Sequence, residues 1–364
     1  MGKEVRTYFN TQTEDPRYLP FKIERNGSIA KRIARHIGLP YNQSPLLSLN
    51  SQEQYYVVPG VTLEVDEAKR LLIESEMDIY GTVVPTFDMV GKSILHPSVD
   101  DMTPAFYNDT FAKKVEQEGL VLPGITGFSK KNLLDAYRAI GAPSKGFRLK
   151  RTNESDGNGQ NEVKGLEHLD ELLTLTGDME IREHGVVLEP NLRNKQTQST
   201  GFLNLGGVQY VFVADQLSGK DDRYMGGENI LVARGDFDVL DDLLQRLNDS
   251  RGATAAKAGA FLREYFAHFP STIASRMSVD VLSGFHPDYG HVSGVTDITG
   301  RLGGLCPATI LAAQQLQDNP AQEAAVAEVH LNYEPSIRQP YEENAVVFMD
   351  QAPLRITAKI VKVI

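Results

Sequence analysis

The chain has 364 residues, of which 41% are hydrophobic and 23% charged, a composition that predicts a globular protein of two or three lobes needing neither a disulfide nor a structural metal. A net charge of −11 disfavours general binding to a nucleic-acid backbone, and the single cysteine, Cys306, excludes internal bridges and cysteine-based zinc patterns. The polar N-terminus carries no apolar leader and no run reaches membrane-spanning length, so a cytoplasmic protein without membrane partners is expected.

The first predicted element is the helix SIAKRIARHIG, capped by Ser28 and closed by Gly38, with Ile29, Ile33 and Ile37 on one face. A short strand at 55–58, a helix over 66–74 and the strand DIYGTVV follow. This alternation predicts a small α/β lobe over residues 1–120. A second unit begins with a helix capped by Ser129 and closed at Gly141. The strand FRLK ends at Lys150, and the glycine-rich loop DGNGQ spans 156–160. The helix LEHLDELLTL and the strand at 186–189 complete that unit. A third unit carries strands near 200–214 and 229–234, then helices over 237–247 and 253–268. The segments SRMSVDVLSG and HVSGVTDITGR read as a hairpin, a helix runs from Pro307 to about Leu316, and LRITAKIVKVI alternates as a last strand.

Four features carry chemistry, and their order matters more than any one. Glycines let the backbone N–H groups of DGNGQ approach an anion, and Lys150 beside it adds a point charge for phosphates. No Walker sequence is present. The apolar strand ending in Leu188 and Glu189 can pack on a purine ring. Alternation places Arg276, Ser278 and Asp280 on one strand face, and Asp297, Thr299 and Arg301 on one face of the next. If the two strands pair, Asp280 and Asp297 meet, and two adjacent carboxylates call for a cation such as magnesium. His96, His286 and His291 read as surface or turn histidines. Gly226-Gly227-Glu228 with Arg234 reads equally as a cleft loop or a plain turn.

The order of lysine, glycine-rich loop, apolar strand with Glu, Asp, and an acidic run ending in Arg301, Gly303 and Gly304 resembles the ATP-grasp class. The segments HPSV, YMGGENILVARGD and GVTDITGRLGG resemble more closely an uncharacterised bacterial ATP-grasp-like family, over roughly residues 55–330. The resemblance implies an α+β ATP-grasp fold, with two lobes clamping ATP beside the smaller N-terminal lobe. It places the ATP-grasp region at 121–332, its small lobe at 121–186 and large lobe at 187–332, with 333–364 as a C-terminal extension. Carried over by position, it assigns nucleotide contacts to Lys92, Lys150, Gly157, Gly159, Gln160, Leu188 and Glu189. It assigns magnesium to Asp280, Asp297 and Thr299, and the transferred phosphate to Lys150, Arg276 and Arg301. Three departures stand out: Asp297 replaces the usual Glu, Thr299 the usual Asn, and no ribose-binding acid follows the hinge, where Asn191 and Ser199-Thr200 lie. The implied activity is an ATP- and magnesium-dependent carboxylate–amine ligase acting through an acyl phosphate on a small molecule. A small-molecule kinase and a non-catalytic nucleotide-binding module are the alternatives, and a homodimer is the default assembly.

Overall fold

The computed structural model describes residues 3–10, 19–47, 53–140, 146–152, 159–219, 223–333, 344–351 and 354–364. In the N-terminal lobe, β1 (Val5–Tyr8) pairs in parallel with β2 (Tyr56–Pro59), joined through α1 (Leu19–Ile37). The helix starts nine residues before the expected cap, so Ser28 lies inside it. The apolar face explains this: it extends upstream through Phe21, which packs on the same core as Ile29 and Ile33. Gly27 is tolerated within the helix because a Cβ there would sit 2.8 Å from the Tyr41 hydroxyl. Gly38, at φ +72°, closes the helix as expected.

Next come β3 (Leu63–Glu64), α2 (Val65–Arg70) and β4 (Thr82–Val84). The helix expected over 66–74 is shorter, because Leu72 turns left-handed at φ +57° and Ser75 caps a separate 3-10 turn. The helix α3 (Asp109–Gln117) is capped by Asn108, whose Oδ1 accepts from the Phe111 amide at 3.0 Å.

The small lobe runs through β5 (Ile125–Gly127), α4 (Lys130–Ile140), β6 (Phe147–Arg151), β7 (Gln160–Val163), α5 (Leu166–Thr176), α6 (Asp178–His184) and β8 (Val186–Pro190). Its antiparallel sheet has the order β5-β8-β6-β7. Ser129 caps α4 as expected, accepting from the Asn132 amide at 3.1 Å. Leu133, Leu149, Leu173, Ile181 and Leu188 close the core beneath the sheet. The expected lobe boundary at 186/187 therefore falls inside a strand of this sheet; the chain leaves the lobe after Pro190.

The large lobe contains β9 (Arg193–Leu205), β10 (Val208–Ser218), β11 (Tyr224–Arg234), α7 (Phe237–Arg246), α8 (Gly252–His268), β12 (Ile273–Ala274), β13 (Arg276–His286), β14 (Gly290–Thr299), α9 (Cys306–Asp318), β15 (Ala324–Asn332), β16 (Val346–Gln351) and β17 (Leu354–Val363). One antiparallel sheet has the order β14-β13-β9-β10-β11-β15-β17-β16. Residues 333–364 are thus no appendage where they are described: β17 pairs with β15 and completes the sheet. Helices α7 and α8 cover one face. On the other, α1 and α9 share one core with Phe212, Val232 and Phe348. That shared core crosses the expected boundary at residue 120, as does the pairing of β12 with β4. Among the described residues, no helix is long and apolar enough to cross a membrane.

Candidate active site

Strand periodicity aims the small-lobe side chains. On β6, Leu149 enters the lobe core while Arg148 and Lys150 line a cleft against the large sheet. On β8, Glu189 lines the same cleft, whereas the Leu188 side chain is buried in the small-lobe core and does not reach it. The expected purine contact through the Leu188 side chain is therefore absent. Gly157 lies outside the described residues. Gly159 sits at φ +65° with its carbonyl accepting from the Arg151 amide at 2.9 Å, and the Gln160 side chain lines the cleft.

Lys150 is 3% exposed and Glu189 1% exposed, so neither charge is stable there alone. Lys150 Nζ donates to Glu189 Oε2 and to Thr296 Oγ1. Thr296 Oγ1 also donates to Glu189 Oε2 at 3.0 Å. The other carboxylate oxygen lies 2.9 Å from His96 Nε2. Burial alone would raise the Glu189 pKa, but the Lys150 charge and the His96 contact hold it at about 2. His96, expected at the surface or in a turn, directly follows a short 3-10 turn and is fully buried, with its carbonyl accepting from the Tyr107 hydroxyl at 2.8 Å. A Cβ on Gly124 would lie 2.8 Å from the His96 ring, so glycine there lets the ring pack directly against the chain. His286, expected at the surface or in a turn, flanks the turn between β13 and β14 and is buried.

The large sheet supplies the acids. Met277, Val279 and Val281 enter the core, while Arg276, Ser278 and Asp280 line the cleft, as alternation predicts. β13 and β14 pair antiparallel with Asp280 directly opposite Asp297. A register shift follows immediately, with Val281 opposite Val295. This bulge turns two successive residues, Thr296 and Asp297, toward the cleft. It explains why period-two reading missed Thr296, the residue joining the large sheet to the Lys150–Glu189 pair.

Burial and then the nearby Asp297 carboxylate push the Asp280 pKa up to about 6, despite hydrogen bonds to Ser199 and Gln216 that favour its charged form. Ser199 Oγ donates to Asp280 Oδ1 at 2.6 Å, and Gln216 Nε2 donates to Ser199 at 2.7 Å. Lys92, buried on a short 3-10 turn, places Nζ 3.6 Å from Asp297 Oδ1. The Arg276 guanidinium donates to the carbonyls of Thr299, at 3.1 Å, and Arg301, and to Ser278 Oγ at 3.2 Å. It thereby fixes the turn that presents Arg301, Gly303 and Gly304 to the cleft. Asn191 Oδ1 accepts from Arg148 at 3.3 Å, and Thr200 is buried. The doublet Gly226-Gly227 is neither a loop nor a turn but lies within β11, where a Cβ on Gly226 would meet the Val329 carbonyl at 2.1 Å.

The resulting cleft has a volume of about 710 Å³. Two facing carboxylates, one of them pushed toward its neutral form by burial and then by the other, fit a divalent cation. Among the described residues no cluster of three or more His, Cys, Asp or Glu exists, so the protein would supply only part of an octahedron. Phosphate oxygens are the natural remaining ligands.

The sequence matches, over residues 11–361, the family described as "Protein of unknown function (DUF3182)". No curated protein matches it. Its fold is similar to that of N5-carboxyaminoimidazole synthetase from Staphylococcus aureus complexed with ADP, at 12% identity and TM-score 0.56 over 100% of this chain and 94% of that one. Phosphoribosylamine–glycine ligase from Thermotoga maritima follows at 10% identity and TM-score 0.52, over 97% and 89%. The chain spans 60% of the length of the biotin carboxylase domain of Hydrogenobacter thermophilus 2-oxoglutarate carboxylase, matched at 10% identity and TM-score 0.44 over 68% of this chain. The shared architecture is the α+β ATP-grasp fold.

Proposed function

This chain belongs to the DUF3182 family, and from its ATP-grasp fold and cleft we propose an ATP- and magnesium-dependent ligase that activates a small-molecule carboxylate as an acyl phosphate for attack by an amine. One observation carries the reading: Lys150, Arg148 and Gln160 from the small lobe face Asp280, Asp297 and Arg301 from the large sheet across a single cleft. The carboxylate oxygen attacks the γ-phosphorus of ATP, ADP leaves, and the amine then displaces inorganic phosphate from the acyl carbon. Such transfers need positioning and charge neutralisation more than covalent help from the protein. Lys150 and Arg148 bind phosphate oxygens from one side. Arg301 holds the carboxylate and the phosphoryl group from the other, on a turn that Arg276 braces. Magnesium, held by Asp280 and Asp297, would neutralise phosphate charge. Both lobes together exclude water, which protects an acyl phosphate from hydrolysis.

The test is ADP release across acids and amines. The ligase reading expects release to require both an acid and an amine. Release with acid alone identifies a small-molecule kinase, and nucleotide binding without turnover on any pair identifies a binding module. Asp297→Asn is expected to remove the magnesium dependence of nucleotide binding, measured by calorimetry with a non-hydrolysable ATP analogue. A normal magnesium response in that variant contradicts the metal assignment.

A further inference from the structure

The carboxylate pair already has a cation of the protein's own beside it. Lys92 stands on a 3-10 turn of the N-terminal lobe, lines the cleft, and places Nζ 3.6 Å from Asp297 Oδ1. That turn is packed against the large sheet: Ile94 and Leu95 share one core with Val279, Val281 and Val295. The two lobes are tied again where Thr82 Oγ1 donates to the Arg276 carbonyl at 2.6 Å and the Ser275 amide to the Gly81 carbonyl at 3.0 Å. Lys92 is itself 4% exposed. A lysine stem is flexible in solvent, but here packing on both sides holds the ammonium at the acids.

Its charge reaches both of them. Burial first and then Asp297 disfavour the Asp280 charge, while hydrogen bonds to Ser199 and Gln216 and then the Lys92 ammonium favour it. The geometry also limits how many metal ions can enter. Asp297 Oδ1 accepts from the Ile298 amide at 3.0 Å and faces Lys92. Asp280 Oδ1 accepts from Ser199 Oγ at 2.6 Å. Paired catalytic metals stand about 3.5–4 Å apart and share carboxylate ligands. A second dication on the Asp297 side would have to share that carboxylate with a fixed ammonium, and like charges at such distances in a buried site repel strongly. Thr299, on the same strand face, is neutral and offsets none of this repulsion.

We propose that Lys92 stands in for a second divalent cation: Asp280 and Asp297 take a single magnesium ion with the nucleotide, and the Lys92 ammonium supplies the other positive charge to the transferred phosphoryl group. This assignment rests on the magnesium reading above. It divides the neutralising charge between an ion that arrives with the nucleotide and an ammonium that stays with the protein. It also fixes a sign. Removing Lys92 takes away a cation that competes for Asp297, so divalent ions should bind more tightly, whereas damage to the fold would loosen them.

The experiment counts bound manganese(II) by electron paramagnetic resonance, using the full chain with an equimolar non-hydrolysable ATP analogue. The wild type is expected to hold one ion per chain at saturation. Lys92→Met is expected to hold two, with the first bound at least about tenfold more tightly. Lys92→Arg, which keeps the charge, is expected to return the count to one. Two ions in the wild type overturn the assignment and leave the magnesium and ligase readings standing, and this count needs no variant to fold. One ion in Lys92→Met at wild-type or weaker affinity also overturns it. No bound ion in the wild type overturns the magnesium reading itself, and this assignment with it.

Discussion

The two walls of the cleft handle buried charge in opposite ways. Around the small-lobe pair opposite charges meet: Lys150 and Glu189 bond to each other, Thr296 of the large sheet bonds to both, and His96 bonds to Glu189, though its own buried Nδ1 has no partner among the described residues. The large-sheet wall is frustrated: Asp280 and Asp297 face each other in register, and one is pushed toward its neutral form. The first arrangement holds its geometry without a ligand. The second is partly compensated by Lys92 beside Asp297 and by the Ser199 hydrogen bond to Asp280, and gains further when a divalent cation or a proton arrives. A nucleotide site built this way has a rigid side that positions and a responsive side that binds metal.

Breaking the rigid wall should have the largest effect. Lys150→Met leaves Glu189 buried without its cation, and removal of one partner from such a pair costs about 3–5 kcal/mol. Chemical denaturation should register that loss, and stabilisation by nucleotide should vanish. A variant as stable as the wild type would show that the network is not the rigid element. Gly124→Ala attacks the same wall from behind, driving a methyl into the His96 ring 2.8 Å away. The expected loss is about 1–3 kcal/mol, and the Asp280–Asp297 repulsion should be unaffected.

The responsive wall has the opposite sign. Without divalent cations, Asp280→Asn should gain stability at neutral pH, because it removes a carboxylate whose charge is disfavoured by burial first and then by Asp297. The folded pKa of about 6 lies above the ordinary value of 3.8. The Asp280 penalty is therefore absent below pH 3.8, grows as pH rises to about 6, and is constant above. With solvent screening allowed for, the gain should be about 1–2 kcal/mol above pH 6 and nil near pH 3.5. The difference between the variant and wild-type curves must be used, since other groups titrate in the same window. Burial pushes His36 down to about 4, so its contribution rises with pH toward 6.5. Glu189, held at about 2, contributes fully above pH 4.5 and is lost as pH falls below it. Subtraction removes both. A flat difference curve would show that neither burial nor Asp297 disfavours the Asp280 charge.

The two walls also differed in how readable they were. Alternation in RMSVDVL assigned core and cleft faces of β13, and hairpin pairing brought Asp280 opposite Asp297, because both depend on local period and a short turn. The small-lobe network was half hidden. Lys150 and Glu189 were legible as strand residues, but their mutual pairing was not. His96 joins them across 93 positions from a short 3-10 turn, and no periodic pattern announces such a contact. Thr296 was hidden by the bulge, which breaks period two at one residue. Leu188 was misassigned because a hinge strand has two faces and the resemblance does not say which one meets the ligand. The C-terminal strand was recognised as a strand, yet its place beside β15 is a long-range pairing that alternation cannot choose.

The smallest expected effect concerns Thr299, which shares a strand face with Asp297 but differs in what its known contact uses. Its backbone carbonyl accepts from Arg276 at 3.1 Å, and that bond survives any side-chain change. The side chain is half-buried and lines the cleft, so Thr299→Val swaps a hydroxyl for a methyl of similar shape without opening a cavity. Stability should therefore change by less than about 0.5 kcal/mol. If the hydroxyl is a magnesium ligand, the variant should need several times more magnesium for nucleotide binding while keeping the wild-type pH profile, since the two carboxylates remain. An unchanged magnesium requirement would narrow the responsive wall to Asp280 and Asp297 alone. Thr299 would then serve only through its carbonyl, bracing Arg276 together with the Arg301 carbonyl and Ser278 Oγ.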